Sequence, residues 1–142
     1  MTNPAARRKA RHYAMQAIYQ WQLTQLSTVK IIQQFKDEYD MAHVDVSYFE
    51  ELVTAMPENA EDIDKIFEPY LQDIVIQELD PISHALLRIG IYELKERIDV
   101  PYKVAISEAV SLAKKFGASE SHKFVNGVLD KVSIELRKIE RA

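Results

Sequence analysis

Arg7, Arg8, Lys9 and Arg11 crowd into the stretch Ala5–Arg11, and with Lys30 and Lys36 they precede the first acid, Asp37. Guanidiniums and ammoniums this dense bind phosphate: arginine keeps its charge at any ordinary pH and forks around two oxygens. If the stretch is helical, successive residues turn by about 100°, so Arg7 and Arg11 stand about 40° apart and Arg8 about 100° from Arg7. Three guanidiniums then cover one side, while Lys9 points elsewhere. A helix start favours an anion and disfavours these cations by a few tenths of a kcal/mol each, roughly. Such a conflict is expected at a functional site. A basic terminus that only solubilises the chain accounts for the same charges.

Aromatic residues accompany the bases. Tyr19 and His12 fall on the Arg8 side of the same helix. A tyrosine there can stack on an unpaired base, worth roughly 1–3 kcal/mol, or lie half-buried with a wet hydroxyl. Tyr13 and Trp21 read as core. Further along, Lys123-Phe124-Val125-Asn126-Gly127 puts two weak helix formers inside a helical pattern. Phe124 belongs there to a core stripe, Gly127 to a close backbone approach, and Asn126 to a partner or a local cap.

Other chemistry finds no constellation. The histidines at 12, 43, 84 and 122 lack metal-ligand spacing. Ser121 and His122 are helical neighbours pointing about 100° apart, not a nucleophile–base pair. Glycine-rich phosphate loops are missing, and there is no cysteine for a disulfide or a metal. We therefore assign no catalytic residue, no metal ligand and no cofactor.

Charge falls in three blocks: +6 over residues 1–36, −13 over 37–80 and +3 over 81–142, for a net −4. Binding responds to the field within roughly 8–10 Å, so the net sign does not exclude nucleic acid. The acidic block reads as a solvated face, a repeller of nucleic acid or an attractor of a basic protein. A chain of 142 residues, 47% hydrophobic and 28% charged, suits one globular domain. No apolar run reaches the roughly 18 residues of a membrane span, and no secretory pattern follows the bases. Cytoplasmic placement is expected.

The elements that carry these residues are helices, since apolar positions recur at three and four. Asn3-Pro4 starts the first helix. A second follows Ser27-Thr28. Asp45 caps a third, Pro57 opens a fourth, and Pro69 breaks it. Asp80-Pro81 and Asp99-Val100-Pro101 start two more. Gly117 sits where a left-handed C-terminal cap belongs, and Ser119 caps the last helix. The fold expected is all-α: one compact domain over 1–142 of about seven helices, with two small sub-bundles dividing near residue 80.

Taken together, these strings resemble the NusB family of transcription antitermination factors. Pro4-Ala-Ala-Arg-Arg-Lys-Ala-Arg11 with Ala17-Ile-Tyr-Gln-Trp21 is similar to its N-terminal arginine-rich motif, and Leu87-Arg-Ile-Gly-Ile-Tyr-Glu-Leu94 to its fifth helix. Val100–Ala109, Leu112–Gly117 and Ser121–Asp130 resemble its C-terminal half. Similarity is strong from 81 to 130 and thin from 27 to 80.

The resemblance implies an all-helical RNA-binding protein without catalysis. It implies a single-stranded boxA-type RNA element bound together with NusE, a small-subunit ribosomal protein, within the RNA polymerase antitermination complex on ribosomal RNA operons. Carried over by motif, Arg7, Arg8, Lys9 and Arg11 hold phosphates, while Tyr19, Lys123 and Phe124 touch bases or backbone. Phe124 would then be partly exposed. Glu120 and Asn126 are neighbours of that surface. NusE is basic, so the acidic block could steer it. The unbound protein could also pair with itself, basic start against acidic block. NusB-like domains occur fused to RNA methyltransferases, and a chain ending at Ala142 favours the unfused factor. The rival readings are a protein-interaction module with a solubilising tail and a DNA-binding helical domain.

Overall fold

The computed structural model describes residues 3–142, and within them the chain is helical without strands. Asn3 caps α1 (Pro4–Thr24), its Oδ1 accepting from the Ala5 and Ala6 N–H groups at 3.0 and 3.2 Å. Helix α2 covers Thr28–Glu38. Asp45 caps α3 (Val46–Phe67), accepting from Tyr48 N–H at 3.1 Å. Two short 3-10 turns, Glu68–Tyr70 and Ile76–Glu78, lead to α4 (Pro81–Glu96). Asp80 caps α4 through Ser83 N–H at 2.8 Å. Then come α5 (Tyr102–Phe116), α6 (Ser121–Leu136) and the short α7 (Lys138–Arg141).

Pro57 does not open a helix. It lies inside α3, where it withholds one ladder hydrogen bond at a cost of about 3 kcal/mol. Burial outweighs that loss. Val53, Met56, Ala60, Ile63 and Phe67 continue one apolar row past the proline, all buried, and the larger ones contribute about 1.5–3 kcal/mol each. The proline lies instead beside a boundary of another kind. The chain divides into two compact units, Met1–Glu58 and Asn59–Ala142, one residue beyond Pro57 and well before the position near 80 expected from sequence. The segment 59–80 joins the second unit because Asp64 and Phe67 engage His84, and the Glu68–Tyr70 turn packs on α6.

In the first unit α1 and α2 pack together. Rings from three helices meet there: Tyr13 lies 5.0 Å from Tyr39 and 6.4 Å from Phe35, and Phe35 lies 5.9 Å from Phe49. Lys36 and Glu50 bridge α2 and α3 at 2.6 Å. Tyr13 and Trp21, expected in the core, are only half-buried. The rest of the apolar line expected for α1, Ala10, Ala14, Ala17 and Ile18, is buried, and Met15 joins it.

In the second unit α4, α5 and α6 pack on one another. Arg137, just past α6 and 3% exposed, holds this arrangement. It donates to the carbonyls of Leu94, Glu93 and Arg97 at 2.8, 3.1 and 2.9 Å, tying the end of α6 to the end of α4. Its guanidinium also pairs with Glu140. Glu140 in turn accepts from Tyr102 N–H at 2.9 Å, capping α5. The Tyr102 N–H bond holds the Glu140 carboxyl below its usual range, desolvation opposing it and the Arg137 bond and charge adding to it. Helix α5 starts directly after Asp99-Val100-Pro101, as expected, and Asp99 itself pairs with Arg97 at 3.0 Å.

The glycines depart from expectation. Gly117 ends α5 with extended backbone, φ −90° and ψ 174°, so it is no left-handed cap. A side chain there would meet the Ala113 carbonyl oxygen at 2.8 Å and Ser121 Cβ at 2.9 Å. Helix α6 begins at Ser121 after Glu120, without the Ser119 cap and without any capping side-chain bond. Gly127 meets no neighbouring backbone, since a Cβ there would have open space. The close approach is at Gly90, where a Cβ would lie 2.8 Å from the buried Leu129 Cδ1. Gly90→Ala should therefore lower stability by about 1–3 kcal/mol through overpacking. Gly127→Ala should raise it by about 0.5–1 kcal/mol through helix propensity. Urea denaturation of the two variants should shift the midpoint in opposite directions.

Candidate nucleic-acid interface

The four N-terminal bases do not share one environment. Arg7 and Arg11 are buried, at 9% and 4% exposure, whereas Arg8 and Lys9 are exposed. The guanidinium carbon of Arg7 stands 4.2 Å above the centroid of the buried Tyr48 ring, and that of Arg11 stands 5.6 Å away. Arg7 Nε also lies 3.8 Å from the Asp45 carboxylate. This corrects the expectation of three guanidiniums displayed on an exposed terminus. It also removes the inference from helix-dipole conflict, because Asp45 and the ring face offset the unfavourable dipole without any anion. Tyr19 is half-buried on the same helix.

In the second unit the start of α6 carries the other site residues. Lys123 is exposed and pairs with Glu120 at 3.1 Å. Phe124 is half-buried, not core; Val125 takes the buried place, with Val128, Leu129 and Val132. Phe124, Lys123 and Gly127 line an open groove of about 290 Å³ with Tyr70, Asp73 and Lys131. Two aromatic rings, two ammoniums and a bare glycine backbone suit a flat ring with an attached phosphate. Asn126 lies elsewhere. Two residues on from Phe124 is about 200° around the helix, and Asn126 lines a separate groove with Tyr102, Lys103 and Asp130. Tyr70 and Lys131 were not singled out from sequence. Tyr70 lies in the 27–80 stretch where the family resemblance is thin, and Lys131 is one lysine among many.

Several acids of the 37–80 block have structural partners rather than forming a uniform solvated face. Asp45, Glu50 and Asp80 are accounted for above. Asp64 accepts from Arg88 Nε and Nη2 at 3.1 and 2.8 Å and contacts His84 Nε2 at 2.9 Å. Among the described residues, no three histidine or acidic side chains gather as metal ligands, and no helix is long and apolar enough to cross a membrane.

The sequence pattern of the NusB family matches residues 8–133. The chain belongs to the NusB family. It is 60% identical over 128 residues to the transcription antitermination protein NusB of Idiomarina loihiensis, covering 90% of this chain and 91% of that one. It is 50% identical over 136 residues to that of Saccharophagus degradans, covering 96% and 91%. The solved structure of T. maritima NusB superposes with a TM-score of 0.78 at 29% identity, covering 95% of this chain and 94% of that one. The all-helical architecture expected from sequence is thus the NusB fold.

The Asp64 cluster of this NusB-family chain yields a pH prediction. Burial alone would raise the Asp64 pKa, but hydrogen bonds from His84 and Arg88, and their charges, bring it below the usual aspartate value. A carboxyl depressed on folding contributes stability above its unfolded pKa, about 3.9, and loses it as pH falls through the lower folded value. Asp64→Asn should therefore destabilise the protein at neutral pH. It should also flatten the fall in stability below about pH 4, read from thermal melts across pH.

Proposed function

We propose that this chain is a cytoplasmic transcription antitermination factor that works by assembly, not catalysis. It binds a single-stranded boxA-type RNA together with NusE, the small-subunit ribosomal protein. In that form it joins the RNA polymerase antitermination complex on ribosomal RNA operons. The observation that carries this is identity of half or more, along nine-tenths of both chains, with proteins named for transcription antitermination. The site chemistry supports it. The basic start of α1, whose exposed members are Arg8 and Lys9, with Arg7, Arg11 and Tyr19 on the same helix, provides phosphate affinity. The groove of Lys123 and Phe124 provides a stacking face.

Asn126, in its own groove, takes no part in this contact, and Glu120 stands beside it as the ion-pair partner of Lys123. The acids of 37–80 that lie exposed, such as Asp37 and Glu38, give NusE a field of opposite sign. Fluorescence anisotropy of a labelled boxA-type RNA against a scrambled RNA of equal length tests this. Preference for the boxA-type RNA should grow when NusE is added. Equal, salt-sensitive binding of both RNAs, unaffected by NusE, would reduce the basic residues to a general polyanion patch. Duplex DNA binding of comparable strength would favour a DNA-binding domain instead.

A further inference from the structure

Four cations in five residues invite the assumption that all four meet phosphate, yet the first unit buries two of them. Asp45 and Tyr48 are what they are buried against, and both belong to the start of α3. Asp45 has three separate attachments. Its N–H donates to the Ala6 carbonyl at 3.1 Å, tying α1 to the segment before α3. One carboxylate oxygen caps Tyr48 N–H at 3.1 Å. The other faces Arg7 Nε at 3.8 Å. Tyr48, 2% exposed, lies within reach of both Arg7 and Arg11. A guanidinium against a buried ring has little surface left for an incoming anion and little freedom to turn toward one. Arg8 and Lys9, between these two anchors in sequence, remain exposed.

We propose that the basic cluster is divided in labour. Arg8 and Lys9 meet RNA phosphate, while Arg7 and Arg11 are positioning residues. Acting through Tyr48 and Asp45, they clasp the first turns of α1 to the start of α3 and so fix where Arg8 and Lys9 stand. This rests on the proposed RNA-binding function, and it assigns Tyr48 and Asp45 a part in that function.

The test pairs two readouts, the salt dependence of binding to a boxA-type RNA and the melting temperature. For Arg8→Ala/Lys9→Ala, the slope of log affinity against log salt should flatten by roughly 1.4, about 0.7 for each lost phosphate contact on a single strand. Its melting temperature should be unchanged. For Arg7→Ala/Arg11→Ala, the melting temperature should fall by roughly 3 °C or more, and the folded protein should bind the RNA several-fold more weakly at every salt concentration while keeping the wild-type slope. Tyr48→Leu, which changes no charge, should melt early in the same way, and Tyr48→Phe should restore it.

If Arg7→Ala/Arg11→Ala does not fold, that loss is itself failure of the clasp, and the Arg8 and Lys9 arm still identifies the phosphate contacts. A flattened slope with an unchanged melting temperature for Arg7→Ala/Arg11→Ala would overturn the division while leaving RNA binding intact. Absence of salt-dependent RNA binding in the wild-type protein would overturn both the phosphate role of Arg8 and Lys9 and the RNA-binding function beneath it.

Discussion

A guanidinium taken out of water must be given partners, and each unit of this protein is fastened around that requirement. Breaking such an arrangement by removing one member leaves an uncompensated charge or bare carbonyls, which is costly even where the intact arrangement contributes little. In the second unit Arg137 meets the need with three carbonyls at the end of α4 and with Glu140. In the first unit Arg7 and Arg11 meet it with an aromatic face and one carboxylate. The geometry around both proposed RNA-contacting segments follows from these fastenings. One sets the start of α1. The other belongs to the packing of α4, α5 and α6, whose α6 carries Lys123 and Phe124.

Local chemistry explains what was legible. Asn3-Pro4, Asp45 and Asp80-Pro81 are helix starts because a short polar side chain can reach an N–H two or three residues ahead, whatever surrounds it. Where the deciding partner was distant, sequence misled. Pro57 looked like a start, yet the buried row on either side of it keeps α3 continuous. The start of α5 was legible at Asp99-Val100-Pro101, but its capping side chain, Glu140, comes from 38 residues away from Tyr102. The close approach expected at Gly127 lies instead at Gly90, because glycine spacing says nothing about which helix face meets a neighbour.

The site divides in the same way. That the N-terminal cluster was basic, helical and capped could be read directly, and so could the polar-aromatic run at the start of α6. That Arg7 and Arg11 turn inward could not, because the wheel places them on one face without saying what faces them. Tyr48 sits in a stretch, Asp45–Leu52, that resembles the family but carries no sign of a partner, and only the folded chain brings it to the arginines. The acidic block was similarly opaque. Its members differ by partner, with Asp64 held by His84 and Arg88 and Glu50 by Lys36. Composition reports only their sum. Phe124 is the one residue where the family resemblance pointed the right way and periodicity did not, since a stripe at helical spacing does not reveal where core gives way to surface.

The most direct measurement is a two-dimensional amide NMR titration of the labelled protein with a boxA-type RNA. If the basic start of α1 and the Lys123–Phe124 groove are the RNA surface, the largest shifts should cluster at Arg8, Lys9 and Tyr19, and at Tyr70, Lys123, Phe124 and Gly127. The groove around Tyr102 and Asn126 should stay quiet. Shifts confined to that second groove, or an unperturbed start to α1 with saturating RNA, would contradict the interface drawn here.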